Sequence, residues 1–515
     1  MTLDPRGERN LTDVLEERAV ARGEQTFLVF EDGDGAISEL TYDEFAAQVR
    51  RCARGLHELG IGRGDRVVVH LRNCPEVLIA WFALARLGAV FVPSNVANTA
   101  SELVHILVVS AARLAITQPA LLAAVEEAIA DGDVRVVVAR GEAGAHTPFA
   151  DLLGHGDDAP RPMVGSDEVV ELIFTSGTTR KPKAVMLTHS NCVRAGLDAV
   201  HCLWLDEGER CLTALPLFHV NAQAMSVMAA LTVGGTLILV EEFRASRFWA
   251  QVRSHRATQT SLVAMQLRTL LAQAPDEGDT DHDVRRLFYA INVTDHEKER
   301  FEARYGVALI NGYGLSEAMT LLTCAPVVGP RRWPSIGLPS AGRRIALVDD
   351  EGNEVATGEV GEIVAEGTPG RDIMLGYLDD PESTAEALRG GRLHTGDNAW
   401  ADEQGFLHFF DRKKDMIKRA GENVSALEVE AALLEHPQIA EAAVVGVPDA
   451  IRDEAVAAVI VPAAAGAVTP EDVAEHCRAR LARFKVPTVV RFADELPKTS
   501  IGKVRKDVLR KQLGC

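Results

Sequence analysis

Helix and strand patterns alternate along most of the chain. Residues 42–60 repeat apolar positions with helical spacing and end at a glycine, and residues 65–71 form a short β-branched run typical of a strand. Residues 75–88 predict a second helix, and residues 89–94 predict a second buried strand. Alternation of this kind predicts an α/β architecture whose strands are buried and largely parallel.

The pattern changes near residue 411. An apolar strand-like segment, 405–410, runs into five consecutive charged residues, 411–415. Beyond them the chain predicts a separate α+β pattern, with helices at 425–436 and 470–482 and strands at 441–448 and 456–462. We therefore predict a large N-terminal domain of several subdomains, 1–411, and a small mobile C-terminal domain, 412–515. The charged run would be an exposed hinge near Lys414.

Composition and charge narrow the function classes. Hydrophobic residues make up 47% of the 515, as in ordinary globular proteins, and the net charge of −20 argues against a general nucleic-acid binder. The eight cysteines contain no C-x-x-C pair, so neither zinc nor a disulfide framework is expected. The charged N-terminus does not resemble a signal peptide, and the most apolar segment is broken by Arg86, Gly88 and Pro93. We expect a cytoplasmic protein without a membrane span.

The segment LIFTSGTTRKPKAV, residues 172–185, is the first candidate for chemistry. A buried strand runs into hydroxyls that donate to phosphate oxygens, a glycine that allows close backbone approach, and cations. The Walker pattern is absent, and a polar surface loop is the alternative. The residues proposed to hold phosphate are Thr175, Ser176, Gly177, Thr178, Thr179 and Lys183.

A second candidate is the segment VALINGYGLSEAMTLL, residues 307–322. A strand is predicted to end at Asn311, and a helix to begin near Ser316. The order Gly-Leu-Ser-Glu-Ala resembles a hydrolase nucleophile elbow, but Ala318 replaces the glycine which that elbow requires. The rival interpretation is nucleotide binding, with Tyr313 on a base, Ser316 on phosphate and Glu317 on Mg²⁺. In the purely structural alternative, Ser316 only caps a helix and binds no ligand.

Three further residues carry weaker signals. Asp397 follows a glycine in a predicted turn and could accept the hydroxyls of a ribose, although Asp after Gly is ordinary turn chemistry. His219 lies between apolar residues, where a histidine is usually part of the core. Lys503 follows Gly502 on a predicted loop, where most lysines are solvated.

Taken together, these motifs resemble those of the adenylate-forming superfamily of acyl-CoA synthetases, luciferases and nonribosomal peptide adenylation domains. The similarity extends over nearly the whole chain, and the segments at 331–337, 411–425, 447–455 and 484–490 look most like the carnitine/crotonobetaine-CoA ligase branch. The motifs that carry it are TSGTTRKPK at 175–183, YGLSEA at 313–318, HTGD at 394–397, DRKKDMIKRAGENVSALEVE at 411–430 and PKTSIGK at 497–503.

The resemblance implies a two-step reaction. A carboxylate attacks the α-phosphate of MgATP to give an acyl-adenylate and pyrophosphate, and the thiol of coenzyme A then attacks that mixed anhydride to give a thioester. The partners are thus a carboxylic acid, ATP with Mg²⁺, and CoA. Catalysis would rest on charge stabilisation rather than on a protein nucleophile.

The resemblance also implies a role for each matching residue. The residues from Thr175 to Thr179, with Lys183, would hold the β- and γ-phosphates, while Tyr313 would pack on adenine. Ser316 would contact the α-phosphate and Glu317 would bind Mg²⁺; Asp397 and Arg412 would hold the ribose. The remaining roles fall to Lys503 in adenylation, Lys414 as hinge, Gly421 and Glu422 in thioester formation, and His219 as gate of the acid pocket.

The chain departs from the family pattern at Arg180 and Ala184, where the phosphate loop usually has glycine or serine and glycine, respectively; Ala420 is a milder change. Glycine in such loops often permits a positive φ or close approach, so the departure bears on adenylation and not on thioester formation.

Three hypotheses for the function follow. The chain is a complete ATP-dependent acid–CoA ligase, or a ligase impaired in adenylation that receives acyl-AMP from a separate enzyme, or a non-catalytic binding protein.

The residues expected around the acid are mostly small or apolar, and no lysine or arginine stands out to pair with a second carboxylate. We therefore predict a mainly hydrophobic acid as substrate. A homodimer is expected only by analogy with the family. The expected lining residues are His219, Val220, Ala222, Ala224, Ala290, Ile291, Ala318 and Leu321.

Overall fold

The fold is described from a computed structural model. It describes residues 8–130, 132–154, 156, 161–175, 182–290, 293–319, 321–412, 415–419, 422–449, 453–464, 466, 468–499 and 504–513.

Strands and helices alternate through the first half of the chain. The strands of the described residues are β1 (Thr26–Glu31), β2 (Ile37–Thr41), β3 (Arg66–His70), β4 (Val90–Pro93), β5 (Leu114–Thr117), β6 (Arg135–Val138), β7 (Thr147–Pro148), β8 (Val169–Thr175), β9 (Lys183–Thr188), β10 (Arg210–Thr213), β11 (Thr236–Val240), β12 (Gln259–Val263), β13 (Arg286–Ala290), β14 (Leu309–Gly314), β15 (Leu321–Cys324), β16 (Leu338–Pro339), β17 (Arg344–Val348), β18 (Gly361–Glu366), β19 (Gly376–Tyr377), β20 (Arg392–Ala401), β21 (Leu407–Arg412), β22 (Ile417–Arg419), β23 (Glu422–Val424), β24 (Ile439–Asp449), β25 (Asp453–Pro462) and β26 (Val489–Phe492).

The α-helices of the same residues are α1 (Leu11–Arg22), α2 (Tyr42–Glu58), α3 (Pro75–Leu87), α4 (Ala100–Ser110), α5 (Pro119–Ala128), α6 (Phe149–Leu153), α7 (His189–Leu203), α8 (Val220–Ala222), α9 (Ala229–Val233), α10 (Ala245–Ser254), α11 (Ala264–Leu271), α12 (Asp295–Tyr305), α13 (Pro381–Ala387), α14 (Ala426–Leu434), α15 (Pro470–Arg478) and α16 (Lys506–Gln512). A π-helix spans Gln223–Met228, between α8 and α9, and short 3₁₀ helices span Ser316–Ala318, Arg389–Gly391 and Arg483–Lys485.

The chain divides into two compact units, of which unit 1 comprises Met1–Ile345 and Ala365–Leu393. It contains two large sheets, in the strand orders β16-β15-β14-β13-β12-β10-β11-β1-β2 and β19-β9-β8-β4-β3-β5-β6-β7. The central strands of both sheets pair in parallel, and antiparallel pairing is found toward the ends, at β1–β2, β14–β15 and β8–β9. The predicted α/β class with largely parallel strands is confirmed.

Local sequence explains the helices that cover these sheets. Helix α2 begins with a capping box, in which Thr41 accepts the Glu44 N–H at 3.2 Å and the Glu44 carboxylate accepts the Thr41 N–H at 2.8 Å. Helix α3 begins at Pro75 and ends at Gly88 in the left-handed conformation. Because α3 is apolar on all sides, it is buried, with Trp81 and Phe82 fully enclosed.

Unit 2 comprises Ala346–Val364 and His394–Cys515. It contains a sheet in the order β23-β22-β25-β24, with β26 parallel to β25, and most of the sheet β17-β18-β20-β21. A core that includes Val424, Val429, Val444 and Cys477 joins helices α14 and α15 to the first of these sheets. The smaller C-terminal α+β domain is thus present. The predicted boundary between residues 411 and 412 stays a prediction.

None of the helices in the described part of the chain combines the length and the apolar character that crossing a bilayer requires.

Candidate functional site

Strands β8 and β9 bring the two ends of the predicted phosphate loop together. They pair antiparallel, with Thr175, the last residue of β8, opposite Lys183, the first residue of β9. His105 on α4 donates from Nε2 to the Pro182 carbonyl at 2.9 Å, next to Lys183. The rest of the predicted loop lies outside the described residues: Ser176, Gly177, Thr178, Thr179, Arg180 and Lys181.

Ala184, one of the two departures from the family pattern, occupies an ordinary strand position. It pairs with Phe174 across β8 and β9, and its carbonyl accepts the Leu378 N–H at 2.9 Å. The residue is buried and does not belong to the described residues with positive φ. Glycine is therefore not required at this position by the backbone conformation.

Lys183 lies beside a second segment of unit 1. Its Nζ donates to Ser383 Oγ at 2.5 Å and lies 3.9 Å from an Asp380 carboxylate oxygen, both at the beginning of α13. The same nitrogen is 5.1 Å from the ring centroid of Tyr377. The lysine charge is thus held near the carboxylate of Asp380 and over an aromatic ring.

Tyr377 also contacts Glu317, the predicted magnesium ligand. The tyrosine hydroxyl donates to Glu317 Oε1 at 2.9 Å, and the Met374 N–H donates to the Glu317 carbonyl at 2.7 Å. Burial, followed by the charge of Glu317, raises the pKa of Tyr377, so its hydroxyl stays protonated and remains a donor. One aromatic side chain therefore connects the predicted phosphate lysine with the predicted metal carboxylate.

Glu317 provides the hard oxygen ligand that Mg²⁺ prefers. No cluster of three or more histidine, cysteine, aspartate or glutamate residues able to hold a metal occurs in the part of the chain that the structure describes. The described residues therefore fit a Mg²⁺ ion that is held by one carboxylate and takes its remaining ligands from phosphate oxygens and water. Mg²⁺ commonly binds in this way in nucleotide sites.

The predicted helix at Ser316 is wrong. Strand β14 continues to Gly314, past the predicted end at Asn311, and Ser316 then opens a 3₁₀ helix of three residues before β15. The 3₁₀ helix cannot continue into a longer helix, because Met319 adopts a left-handed conformation, φ 56°, and the chain returns antiparallel to β14. Ser316 and Glu317 consequently lie in a tight turn between two strands, and Ser316 is not a helix N-cap.

Tyr313 is held one residue from a tightly packed glycine. It pairs with Thr323 across β14 and β15, and it is half-buried. A Cβ added at the preceding residue, Gly312, would lie 2.7 Å from Phe288 Cε2 and 2.9 Å from the Thr323 carbonyl oxygen. Only glycine fits between these neighbouring strands, and the close packing at Gly312 fixes the position of the adjacent Tyr313 on β14.

His219 directly precedes α8 and the π-helix Gln223–Met228. Its ring centroid lies 4.6 Å from that of Phe218, and its Nε2 is buried with no hydrogen-bond partner among the described residues. Burial lowers the pKa of His219 to about 4, so the imidazole is neutral at neutral pH. The surrounding segment is unusual, because π-helices are rare and are frequently found at functional sites.

The residues expected around the acid belong to two apolar clusters of unit 1. One contains Leu321 with Ala290 beside it, and the other contains Ala222, Ala224 and Ala318 with Val220 beside them. Ile291 lies outside the described residues. The arrangement brings the predicted set into the neighbourhood of the π-helix, whose Met225 belongs to the first cluster.

In unit 2, Asp397 lies opposite Arg412 across β20 and β21. Gly396, just before Asp397, has φ 71° and donates its N–H to Glu362 Oε1 at 3.0 Å. A non-glycine residue would be strained in this conformation, so the glycine of HTGD sets the turn before the aspartate. The two residues predicted to hold a ribose are therefore neighbours in the register of the sheet.

The prediction of an exposed charged run at 411–415 is wrong for its two aspartates. Asp411 Oδ2 accepts the Ala426 N–H at 2.6 Å and the Ser425 hydroxyl at 3.2 Å, so it caps α14. Asp415 accepts from Arg510 Nη2 at 2.9 Å. Both are buried because the carboxylates have partners in the folded C-terminal part. Lys414, Gly421 and Lys503 lie outside the described residues, as do the side chains of Arg412 and Glu422.

Sequence reasoning missed Tyr377, Ser383, Asp380 and His105. The segment from Gly376 to Asp380 carries turn residues and one tyrosine, and nothing in its pattern connects it with Glu317 or Lys183. The pairing of Tyr377 with Val185 in β9 creates the proximity, and this pairing belongs to the tertiary fold.

Comparison with known proteins gives matches over both parts of the chain. Residues 15–378 match the family of AMP-binding enzymes, and residues 428–503 match the AMP-binding enzyme C-terminal domain. A crotonobetaine/carnitine–CoA ligase from Citrobacter koseri is 36% identical over 99% of this chain and 100% of its own length. A ligase of the same name from Salmonella typhimurium is 35% identical with the same coverage.

Solved structures give the same picture. An anthranilate CoA ligase in complex with anthranoyl-AMP superposes with a TM-score of 0.88 at 25% identity, covering 98% of this chain and 97% of that one. A benzoate CoA ligase from Burkholderia xenovorans superposes with a TM-score of 0.87 at 26% identity, covering 98% and 100%.

Proposed function

Since the chain belongs to the family of AMP-binding enzymes and is an acyl-CoA ligase that works through an acyl-adenylate, we propose that it performs both half-reactions on a mainly hydrophobic carboxylic acid. The carboxylate oxygen attacks the α-phosphorus of ATP, and the bond to the pyrophosphate oxygen breaks. The CoA sulfur then attacks the acyl carbon, its proton is lost to solvent or base, and AMP leaves as the thioester forms.

The residues of unit 1 would serve the first half-reaction. Lys183 would stabilise the charge of the leaving pyrophosphate, and Tyr313 would pack on adenine with Ser316 near the α-phosphate. Mg²⁺ held by Glu317 would supply charge neutralisation at the phosphate oxygens. Tyr377 would orient the Glu317 carboxylate and keep Lys183 close to it.

The residues of unit 2 and the C-terminal motifs would serve both steps. Asp397 and Arg412 would hold the ribose hydroxyls, and Lys503 would bridge the carboxylate and the α-phosphate during adenylation. Gly421 would lie on the segment that enters the site for thioester formation, after a pivot at Lys414 between domains 1–411 and 412–515.

The observation that carries the proposal is the contact of Tyr377 with both Lys183 and Glu317. A lysine and a carboxylate held together beside the end of the β8–β9 connection suit a magnesium-bound pyrophosphate, which acyl-AMP lacks. The strand geometry of Ala184 also supports complete activity, because this position does not need a glycine conformation. The guanidinium of Arg180 is the feature that favours the alternative, a ligase that only thioesterifies supplied acyl-AMP.

The hydrophobic substrate is supported by the expected lining, which is aliphatic apart from His219. The curated relatives are named for crotonobetaine and carnitine, which carry a quaternary ammonium group. Proteins commonly recognise that group with aromatic cages, and no such set stands among these lining residues.

A panel of acids tests the proposal in each half-reaction separately. Benzoate, a medium-chain fatty acid and crotonobetaine are assayed for acid-dependent exchange of pyrophosphate into ATP, and their synthetic adenylates for thioester formation with CoA. We expect exchange and thioester formation with an uncharged acid. A higher kcat/KM for crotonobetaine would contradict the hydrophobic substrate.

The same data separate the alternatives. Robust exchange excludes the adenylation-impaired ligase. Thioester formation without exchange supports it, and Arg180→Gly with Ala184→Gly should then raise exchange. A chain that does neither with any acid of the panel would be a binding protein.

A further inference from the structure

A buried carboxyl group lies behind the site, on the strand that leads into the phosphate loop. Glu171 is in β8, four residues before Thr175, and its side chain is fully enclosed. Its Oε1 accepts a hydrogen bond from Gln223 Nε2 at 2.6 Å, and its Oε2 has no partner among the described residues. A buried acidic group without a cationic partner is unfavourable, so its presence in this core calls for a reason.

Gln223 transmits this contact to the segment that carries His219. It is the first residue of the π-helix and is also fully enclosed. Its Nε2 donates a second hydrogen bond, to the Leu217 carbonyl at 2.9 Å, and its own N–H donates to the His219 carbonyl at 3.4 Å. The side-chain amide of Gln223 thus connects β8 with Leu217 at one end of the turn 217–219, and the backbone N–H of Gln223 contacts His219 at the other end.

Asn73 also forms hydrogen bonds to the same turn and to Leu215, two residues before it. Its Oδ1 accepts the Leu217 N–H at 2.9 Å, and its Nδ2 donates to the Leu215 carbonyl at 2.9 Å. The N–H and the carbonyl of Leu217 are both bonded to buried side chains, so Asn73 attaches the turn to the connection between β3 and α3, and Gln223 attaches it to β8. The position of His219 therefore depends on two amide side chains and, through Gln223, on Glu171.

We propose that Glu171 and Gln223 form a positioning pair that sets the His219 turn relative to the phosphate-loop strand. The pair touches neither acid nor nucleotide. It fixes the spacing between the turn 217–219, beside the expected acid pocket, and β8, which leads toward the residues that would hold the phosphates, so that the carboxylate and the α-phosphorus meet at the right separation. This inference rests on the proposed function for the identity of the acid pocket.

The surroundings of Glu171 keep it protonated. Its neighbours across the sheet are Phe91 on β4 and Leu187 on β9, and the Cys192 thiol on α7 is a titratable group that interacts with it. Burial raises the pKa of Glu171 to about 8, and burial also raises the pKa of Cys192, so both are neutral at pH 7. Above pH 8 the carboxyl group would ionise without a cationic partner among the described residues, and the contact with Gln223 would change.

The test uses the full-length protein and the best acid of the panel. Gln223→Met keeps the side-chain volume and removes both donors, and we expect it to raise the KM for the acid about tenfold at pH 7 while the KM for ATP changes less than about threefold. Gln259→Met is the matched control, because Gln259 is equally enclosed on β12 and its amide has no hydrogen-bond partner among the described residues. The control should leave the KM for the acid unchanged.

The Glu171 variants supply a readout that a purely structural role would not move. The KM for the acid should rise in the wild type above pH 8, and Glu171→Gln, which keeps the acceptor and cannot ionise, should remove this alkaline limb. Glu171→Met should behave like Gln223→Met, and the double variant should be no worse than either single variant.

Three results would overturn the proposal: an unchanged KM for the acid in Gln223→Met, a loss of kcat and unfolding temperature without any KM change, or an alkaline limb that persists in Glu171→Gln. Failure of the proposed function is visible separately, as a wild type without pyrophosphate exchange. In that case the same variants are scored by the KM for acyl-AMP in thioester formation, since the acyl group would occupy the same pocket.

Discussion

Tyr377 is the residue through which Lys183 and Glu317 are connected, and Tyr377→Phe tests that connection. The variant keeps the ring beside Lys183 and removes the hydroxyl that donates to Glu317. We expect the Mg²⁺ concentration for half-maximal pyrophosphate exchange to rise about tenfold, because a hydrogen bond to a charged group contributes ~1.5 kcal/mol. Tyr305→Phe removes a buried hydroxyl remote from the site and should have no such effect. An unchanged Mg²⁺ requirement in Tyr377→Phe would refute the orienting role.

At this scale the sequence was informative about motifs and silent about their connections. Glu317 and Lys183 were identified from the residue types that Mg²⁺ and phosphate require. Tyr377, in contrast, becomes important only when β19 pairs with β9, a contact between segments far apart in the chain. Glu171 was missed for a similar reason, because a glutamate in an apolar strand reads as an interruption until its partner Gln223 is placed beside it.

The position of Tyr313 on β14 depends on the absence of a side chain at the preceding residue, Gly312. Gly312→Ala should lower the free energy of unfolding by about 1–3 kcal/mol, because the new methyl group would overlap Phe288 and the Thr323 carbonyl. The KM for ATP should increase as β14 shifts. Gly62→Ala is the control, since a Cβ there meets nothing within 4 Å. Urea unfolding and exchange kinetics measure both effects, and a fully stable Gly312→Ala protein would contradict the packing argument.

Elements were predicted well where hydrophobic periodicity decides them. Helices α2 and α3 and strands β3 and β4 lie where the pattern placed them, because their apolar positions and caps agree with the tertiary fold. The segment after Asn311 was not predictable in the same way. Its apolar residues fit a helix or a strand, and the pairing of β14 with β15 selects the strand.

The whole molecule should be destabilised by mild acid through unit 1. Three histidines, the enclosed His70 and His189 and the half-buried His219, have their pKa lowered by burial to about 4, against 6.5 when exposed. Between pH 6.5 and about 4 the unfolded chain binds more protons, so stability falls as the pH falls, by about 1.4 kcal/mol per pH unit for each histidine. Glu171 acts in the opposite sense, because its raised pKa lets the folded state keep a proton up to about pH 8.

Unfolding temperatures recorded between pH 7 and pH 5 measure this acid sensitivity. His70→Gln removes one group that binds a proton on unfolding, so its unfolding temperature should fall less between pH 7 and pH 5 than that of the wild type. His57→Gln, at an exposed position, should leave it unchanged. Equal pH dependence in wild type and His70→Gln would show that the buried histidines do not control acid unfolding.

If the C-terminal domain moves at Lys414 as predicted, the hydrogen bonds of Asp411 would oppose that movement. Asp411 precedes Lys414 and its partners Ser425 and Ala426 follow it, so these hydrogen bonds, which lie within unit 2, join residues on the two sides of the predicted pivot along the chain. A rotation at Lys414 that separates the two sides must break them and leave a carboxylate and a helix terminus to be solvated. Breaking the hydrogen bonds of Asp411 would then contribute to the energy barrier of the movement between the two half-reactions. The rate of that movement would be set by residues that do not contact the reacting bonds.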